Sequence, residues 1–133
     1  MRAYHLEIVT PDGLAYSGEV ESLLIRTDDG DVEILCGHAD FLASIGTGRA
    51  RLLIDGKPRY ASVSGGFVSV SEGVTRVVAI TFEFAEQIDV RRAKQAKERA
   101  EAALARAGGE REELIAKAKL ARAISRINVS ELL

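Results

Sequence analysis

Ile88-Asp89-Val90-Arg91-Arg92-Ala93 marks the point at which the period of this 133-residue sequence changes. Up to about residue 82, apolar and polar residues alternate with the repeat of two that strands require. From Asp89 to Ile127 apolar residues recur at helical spacing, interrupted only by Gly108-Gly109. The change predicts an α+β chain with an N-terminal β-sandwich of about ten short strands over residues 1–84. A C-terminal antiparallel helical hairpin follows over residues 85–133. A polar, Arg-rich entry into a hairpin on an all-β body reads as a movable arm with something to sense.

On the N-terminal side the turns are legible one by one. Thr10-Pro11-Asp12-Gly13 and Asp28-Asp29-Gly30-Asp31 close short strands, and Asp55-Gly56 suits a type I′ hairpin turn in which both central residues take positive φ. Arg49 and Arg51 alternate with Ala50, Leu52 and Ile54, so one face of that strand is charged and the other apolar. Ser64-Gly65-Gly66 is read as a break, after which Phe67-Val68-Ser69-Val70 resumes.

On the C-terminal side Asp89 is a good N-cap, and Val90 to Ala107 is nearly all helix formers. Val90, Ala93, Ala96 or Ala100, Leu104 and Ala107 give one narrow stripe, and Leu114, Ile115, Ala118, Ala121 and Ile124 a second. Gly108-Gly109 is expected to end the first helix in the left-handed conformation. Glu110, Glu112 and Glu113 favour the start of the next, and Asn128-Val129-Ser130 is expected to fray. Each helix would be about 18 residues, roughly 27 Å. Stripes made mostly of Ala bury little area, so the hairpin is expected to be held modestly.

Composition narrows the class. Hydrophobic residues make up 47% and aromatics 5% of the chain, which supports an aliphatic core. The one cysteine, Cys36, leaves no internal disulfide and no thiolate metal cluster. No run approaches the roughly 20 apolar residues of a membrane helix, and Met1-Arg2-Ala3-Tyr4-His5 enters alternation at once without the pattern of a signal or transit peptide. Residues 1–87 carry 7 Lys and Arg against 13 Asp and Glu, whereas residues 88–133 carry 11 against 7. An acidic body argues against nucleic acid as the partner, and a basic arm fits an anionic ligand or an acidic protein surface. No Ser/His/Asp, Cys/His, paired-carboxylate or metal-spaced set stands out, so an enzyme is not expected.

The order of motifs then carries a resemblance. Val9-Thr10-Pro11-Asp12-Gly13, Gly30 through Ile34-Leu35-Cys36-Gly37-His38, Ser64-Gly65-Gly66-Phe67 and the helical hairpin together resemble the epsilon subunit of bacterial F-type ATP synthase, across the whole chain. The resemblance implies a non-catalytic central-stalk subunit whose β-sandwich binds the gamma subunit and the c-subunit ring. Its helices would fold on the sandwich or extend into the alpha/beta head and inhibit ATP hydrolysis. About 45 helical residues would reach on the order of 65 Å, which fits that role. It also implies a peripheral place on the cytoplasmic face of the bacterial inner membrane, without membrane insertion.

Ile88-Asp89-Val90-Arg91-Arg92-Ala93 is similar to the Ile/Leu-Asp-x-x-Arg-Ala motif of the ATP-binding members of that family. On that likeness the candidate ATP site comprises Glu83, Ile88, Asp89, Arg92, Ala93, Arg99, Arg122 and Arg126. ATP, with or without Mg, would act as a regulatory ligand, no cofactor being required. Arg92 and Arg99 lie two helical turns apart and Arg122 and Arg126 one turn, so a closed hairpin brings guanidinium groups toward a triphosphate. There is no Gly-rich phosphate loop, so the site is a sensor rather than an ATPase. Glu33, Cys36, Gly37 and His38 are the candidate gamma and c-ring contacts; the family usually has glycine in place of Glu33 and proline in place of Cys36. The alternative reading is a free-standing β-sandwich adaptor whose basic hairpin binds an acidic protein.

Overall fold

Seven strands run antiparallel through most of a single sheet, ordered β2-β1-β7-β6-β5-β3-β4, with only β1 and β7 parallel. They are β1 (Tyr4–Thr10), β2 (Gly13–Val20), β3 (Ser22–Thr27), β4 (Gly30–Leu35), β5 (Phe41–Ile54), β6 (Lys57–Ser71) and β7 (Val74–Phe84). The computed structural model describes residues 2–133. All seven strands contribute to one core, in which Leu6, Ile8, Leu23, Ile25, Leu52 and Val77 are fully buried. The sheet therefore doubles over on itself as a sandwich.

Seven strands replace the expected ten because two of them bend rather than stop. β5 has 14 residues and β6 has 15. Gly65 and Gly66 take φ of +73° and +94°, and the β6–β7 ladder resumes on both sides of them. Gly66 has a second constraint: a Cβ there would lie 1.8 Å from the carbonyl oxygen of Val78. Asp55-Gly56 forms the expected turn, with φ of 50° and 75°.

The arm consists of α1 (Val90–Ala105) and α2 (Glu110–Ser130). Neither glycine of the connection is left-handed. α1 is capped by Arg106, Gly109 is fully extended, and the Gly108 N–H donates to Glu112 Oε2 at 2.8 Å, so an acidic side chain of α2 organises the turn. The expected fraying at Asn128-Val129-Ser130 is absent: the helix runs through Ser130, and Val129 is buried.

The second stripe is also corrected. The buried residues of α2 are Ala116, Ala123, Ser125 and Val129, whereas Leu114, Ile115, Ala118, Ala121 and Ile124 are exposed. Leu114, Ala118 and Ala121 share the face of Ser125, but one to three turns earlier, where nothing covers them. Alanines do the packing between helices, Ala93 and Ala100 being the buried residues of α1.

Substitution Gly66→Ala combines a left-handed backbone with a clash against β7, and is expected to cost on the order of 2–4 kcal/mol. Urea unfolding, comparing midpoints at unchanged slope, measures this.

Candidate functional site

The passage from sheet to arm is tied down before the helices begin. β7 ends at Phe84, and Ala85–Gln87 makes one 3₁₀ turn in which Gln87 Oε1 accepts from the Phe84 N–H at 3.1 Å. Arg59 on β6 stacks its guanidinium 3.5 Å from the Phe84 ring centroid and donates from Nε to Glu86 Oε1 at 2.7 Å. Burial works to raise the Glu86 carboxyl, but a backbone N–H and Arg59 outweigh it and hold the group below its ordinary range. Asp89 then caps α1, its Oδ1 accepting from the Arg92 N–H at 3.1 Å.

Further along, three contacts join α2 to the sandwich. Ser125 Oγ donates to the Gly48 carbonyl at 2.9 Å and lies 2.8 Å from Ser62 Oγ. Because a hydroxyl has one hydrogen, Ser62 is the donor in the second bond. Val129 packs with Ala85, Ile88 and Tyr60 in a small apolar cluster separate from the main core. Arg126 Nε meets Glu83 Oε1 at 3.4 Å, both half-exposed. The docking explains an anomaly in β6: Ala61, Ser62 and Val63 are all buried, although alternate strand residues face opposite ways. Ala61 and Val63 face the core, and α2 covers Ser62.

Between the helices lies a groove of about 420 Å³, lined by Arg99, Arg122, Arg126 and Lys119, with Ala100 and Ala123 among its other lining residues. Only Arg126 of these four has a carboxylate within ion-pair distance among the described residues. Four cations around one concave surface, three of them uncompensated, form an electrostatic setting that favours a polyanion.

The structure thus gathers Arg99, Arg122 and Arg126 in one groove and brings Glu83 beside them through Arg126. The remaining candidates stand apart from its lining. Arg92 is exposed on the first turn of α1, Asp89 is engaged as the cap, and Ile88 and Ala93 are buried in packing at 9% and 2% exposure, presenting little surface to a ligand. Sequence reasoning missed Lys119, although it precedes Arg122 by three residues and Arg126 by seven, which is one helical face. It also missed Ser125, whose only local signal is a hydroxyl at a helix-interior position among alanines.

The second candidate cluster lies at the end of β4. The His38 N–H donates to the Leu35 carbonyl at 3.1 Å, and Gly37 has φ of +83°, as the third residue of a type II turn requires. Cys36 holds the second position, where proline is favoured, and Arg2 Nη2 lies 3.3 Å from its Sγ. His38 stacks edge-on against Phe41, and its Nδ1 lies 2.7 Å from the Ala39 carbonyl. Glu33 is committed to the sheet, its Oε2 accepting from Ser22 Oγ at 3.0 Å and from Arg51 Nη2 at 2.8 Å.

Comparison with known proteins returns the same order of a β-sandwich domain followed by a helical domain. The family model of the ATP synthase delta/epsilon chain beta-sandwich domain matches residues 3–85, and that of its long alpha-helix domain matches residues 86–131. The chain belongs to the ATP synthase delta/epsilon family. Its relatives in that family include the ATP synthase epsilon chain of Alkaliphilus oremlandii, 42% identical over 80% of both chains. The epsilon chain of Bacillus velezensis is 38% identical over 98% of each. Among solved structures, a chain of the Euglena gracilis mitochondrial ATP synthase (OSCP/F1/c-ring) superposes with a TM-score of 0.81 at 22% identity, covering 98% of this chain and 82% of that one, which supports the fold of this family member.

Replacing Ser125 with Ala removes one hydroxyl and leaves the Ser62 hydroxyl and Gly48 carbonyl with a lost partner, a cost of about 1–3 kcal/mol. Faster amide hydrogen exchange across α2, with strand β3 unchanged, is the expected readout.

Proposed function

We propose that this epsilon subunit of the ATP synthase central stalk regulates the enzyme through its arm. In this reading the sandwich couples the gamma subunit to the c-subunit ring, with the turn at Cys36, Gly37 and His38 at the contact. The helices leave the sandwich to enter the alpha/beta head and suppress ATP hydrolysis, the subunit itself being non-catalytic. ATP, with or without Mg, binds the closed hairpin and keeps it down. The site of action is the cytoplasmic face of the membrane; no helix among the described residues is long and apolar enough to cross a bilayer.

The observation that carries this reading is the cationic groove, three of its four cations uncompensated among the described residues, between two helices that pack through alanine. Arg99 belongs to α1, whereas Arg122 and Arg126 belong to α2, so an anion that accepts from both sides bridges the hairpin. Phosphate oxygens suit guanidinium forks in paired hydrogen bonds. A ligand that binds only the closed form, at a hundredfold excess over its Kd, stabilises that form by about 2.7 kcal/mol. This matches the scale of the hydrogen bonds at Ser125, each contributing about 1 kcal/mol net.

Calorimetric titration of the isolated chain with ATP tests the sensor. Saturable binding is expected, weakened about tenfold or more in Arg99→Ala and Arg122→Ala, since each removes a charge-assisted contact. No binding at millimolar ATP, or equal affinity in both variants, refutes it. Truncation after Gln87 tests the inhibitory role in the assembled enzyme and is expected to raise ATP hydrolysis. Unchanged hydrolysis in a complex retaining the subunit removes that role.

A further inference from the structure

The groove has a direction, and its far end carries a residue that no part of the candidate motif includes. α1 and α2 are antiparallel, so the hinge at Ile88-Asp89 lies near the C-terminal half of α2. Arg126, which reaches Glu83 at the end of β7, is at that hinge end. Arg122 and Arg99 both line the groove, and in the antiparallel pair Lys119 and Ala103 are its lining residues on the side of the tip. Lys119, Arg122 and Arg126 are spaced three and four residues apart on α2, so they stand in one row. The row is seven residues long, roughly 10 Å.

We propose that this row is a ruler for the number of phosphates in a linear polyphosphate, and that Lys119 binds the phosphate furthest from the hinge. The inference rests on the reading of the groove as the ATP site and deepens it: with the nucleoside end toward Glu83 and the hinge, the terminal phosphate reaches Lys119. Three features support the assignment. Lys119 lines the same groove as the three arginines. It makes no ion pair among the described residues, whereas Lys117, two positions away on α2, is paired with Glu113 at 2.8 Å. Its side chain is exposed and takes no part in the alanine packing, so it is free to meet a ligand. A diphosphate anchored at Arg126 and Arg122 stops short of it. Lys119 therefore distinguishes a triphosphate from a diphosphate in this groove.

The test is titration of the full chain with four probes: ATP, ADP, inorganic tripolyphosphate and pyrophosphate. Lys119→Gln, Lys119→Arg and wild type are compared. Because Lys119 is exposed, both variants are expected to keep the native fold, checked by unchanged far-UV circular dichroism. In Lys119→Gln the affinity for ATP and tripolyphosphate is expected to fall roughly tenfold while that for ADP and pyrophosphate stays within about twofold; Lys119→Arg keeps the preference. Equal losses for triphosphates and diphosphates, or no loss for either, overturn the ruler. Absence of tripolyphosphate binding to wild type overturns it as well. Should tripolyphosphate bind with a Lys119-dependent preference over pyrophosphate while ATP does not bind, the ruler stands and the nucleotide reading falls.

Discussion

The hydroxyl of Ser125 is the point on which the geometry of the arm turns. It satisfies the carbonyl of Gly48 on β5 and accepts from Ser62 on β6, so one small group on α2 grips two neighbouring strands. Buried polar groups are costly to leave unpaired, so the bonds specify one seating of the helix rather than a sliding hydrophobic contact. That seating sets the positions of the next residues: Arg126 reaches Glu83, and Val129 enters the cluster with Ile88. Position and weakness go together here. Two hydrogen bonds, a half-exposed ion pair and one valine hold the arm on the sandwich.

Two interfaces with different chemistry follow from this seating. The contact of α2 with the sheet is specific and polar at its centre. The contact between α1 and α2 is made by alanines, which allow close approach and bury little apolar area. Cations from both helices flank that second contact with little compensation. Under the proposed function a polyanion acts on the helix pair, while Ser125 fixes its docking. Arg126 belongs to both, lining the groove and meeting Glu83 of the sandwich.

Much of this was legible in the sequence, and the misses share a physical cause. The change of period at Asp89, the cap at that residue and the turn at Asp55-Gly56 depend on neighbours within a few positions and were read correctly. The arginine rows were also readable, since helical spacing is local. The face of α2 that packs was not: hydropathy favours Leu114, Ile115 and Ile124, yet close helix packing selects Ala116 and Ala123, leaving the larger residues outside. Ser125 had no readable role because its partners are 77 and 63 residues away. Strand count failed at Gly65-Gly66 because positive φ bends a strand whose ladder continues, which looks like a break in one dimension.

The central claim is that the arm must leave the Ser125 seat in order to inhibit. The most direct measurement is a covalent lock at that seat, with Ser62→Cys and Ser125→Cys introduced in a Cys36→Ser background. The two hydroxyl oxygens lie 2.8 Å apart, close enough for a disulfide with small adjustment. The oxidised subunit is assembled with the ATP synthase, and ATP hydrolysis is followed before and after reduction. Oxidised enzyme is expected to hydrolyse ATP without inhibition by the arm, and reduction is expected to restore inhibition. Full inhibition by the locked subunit would contradict the account.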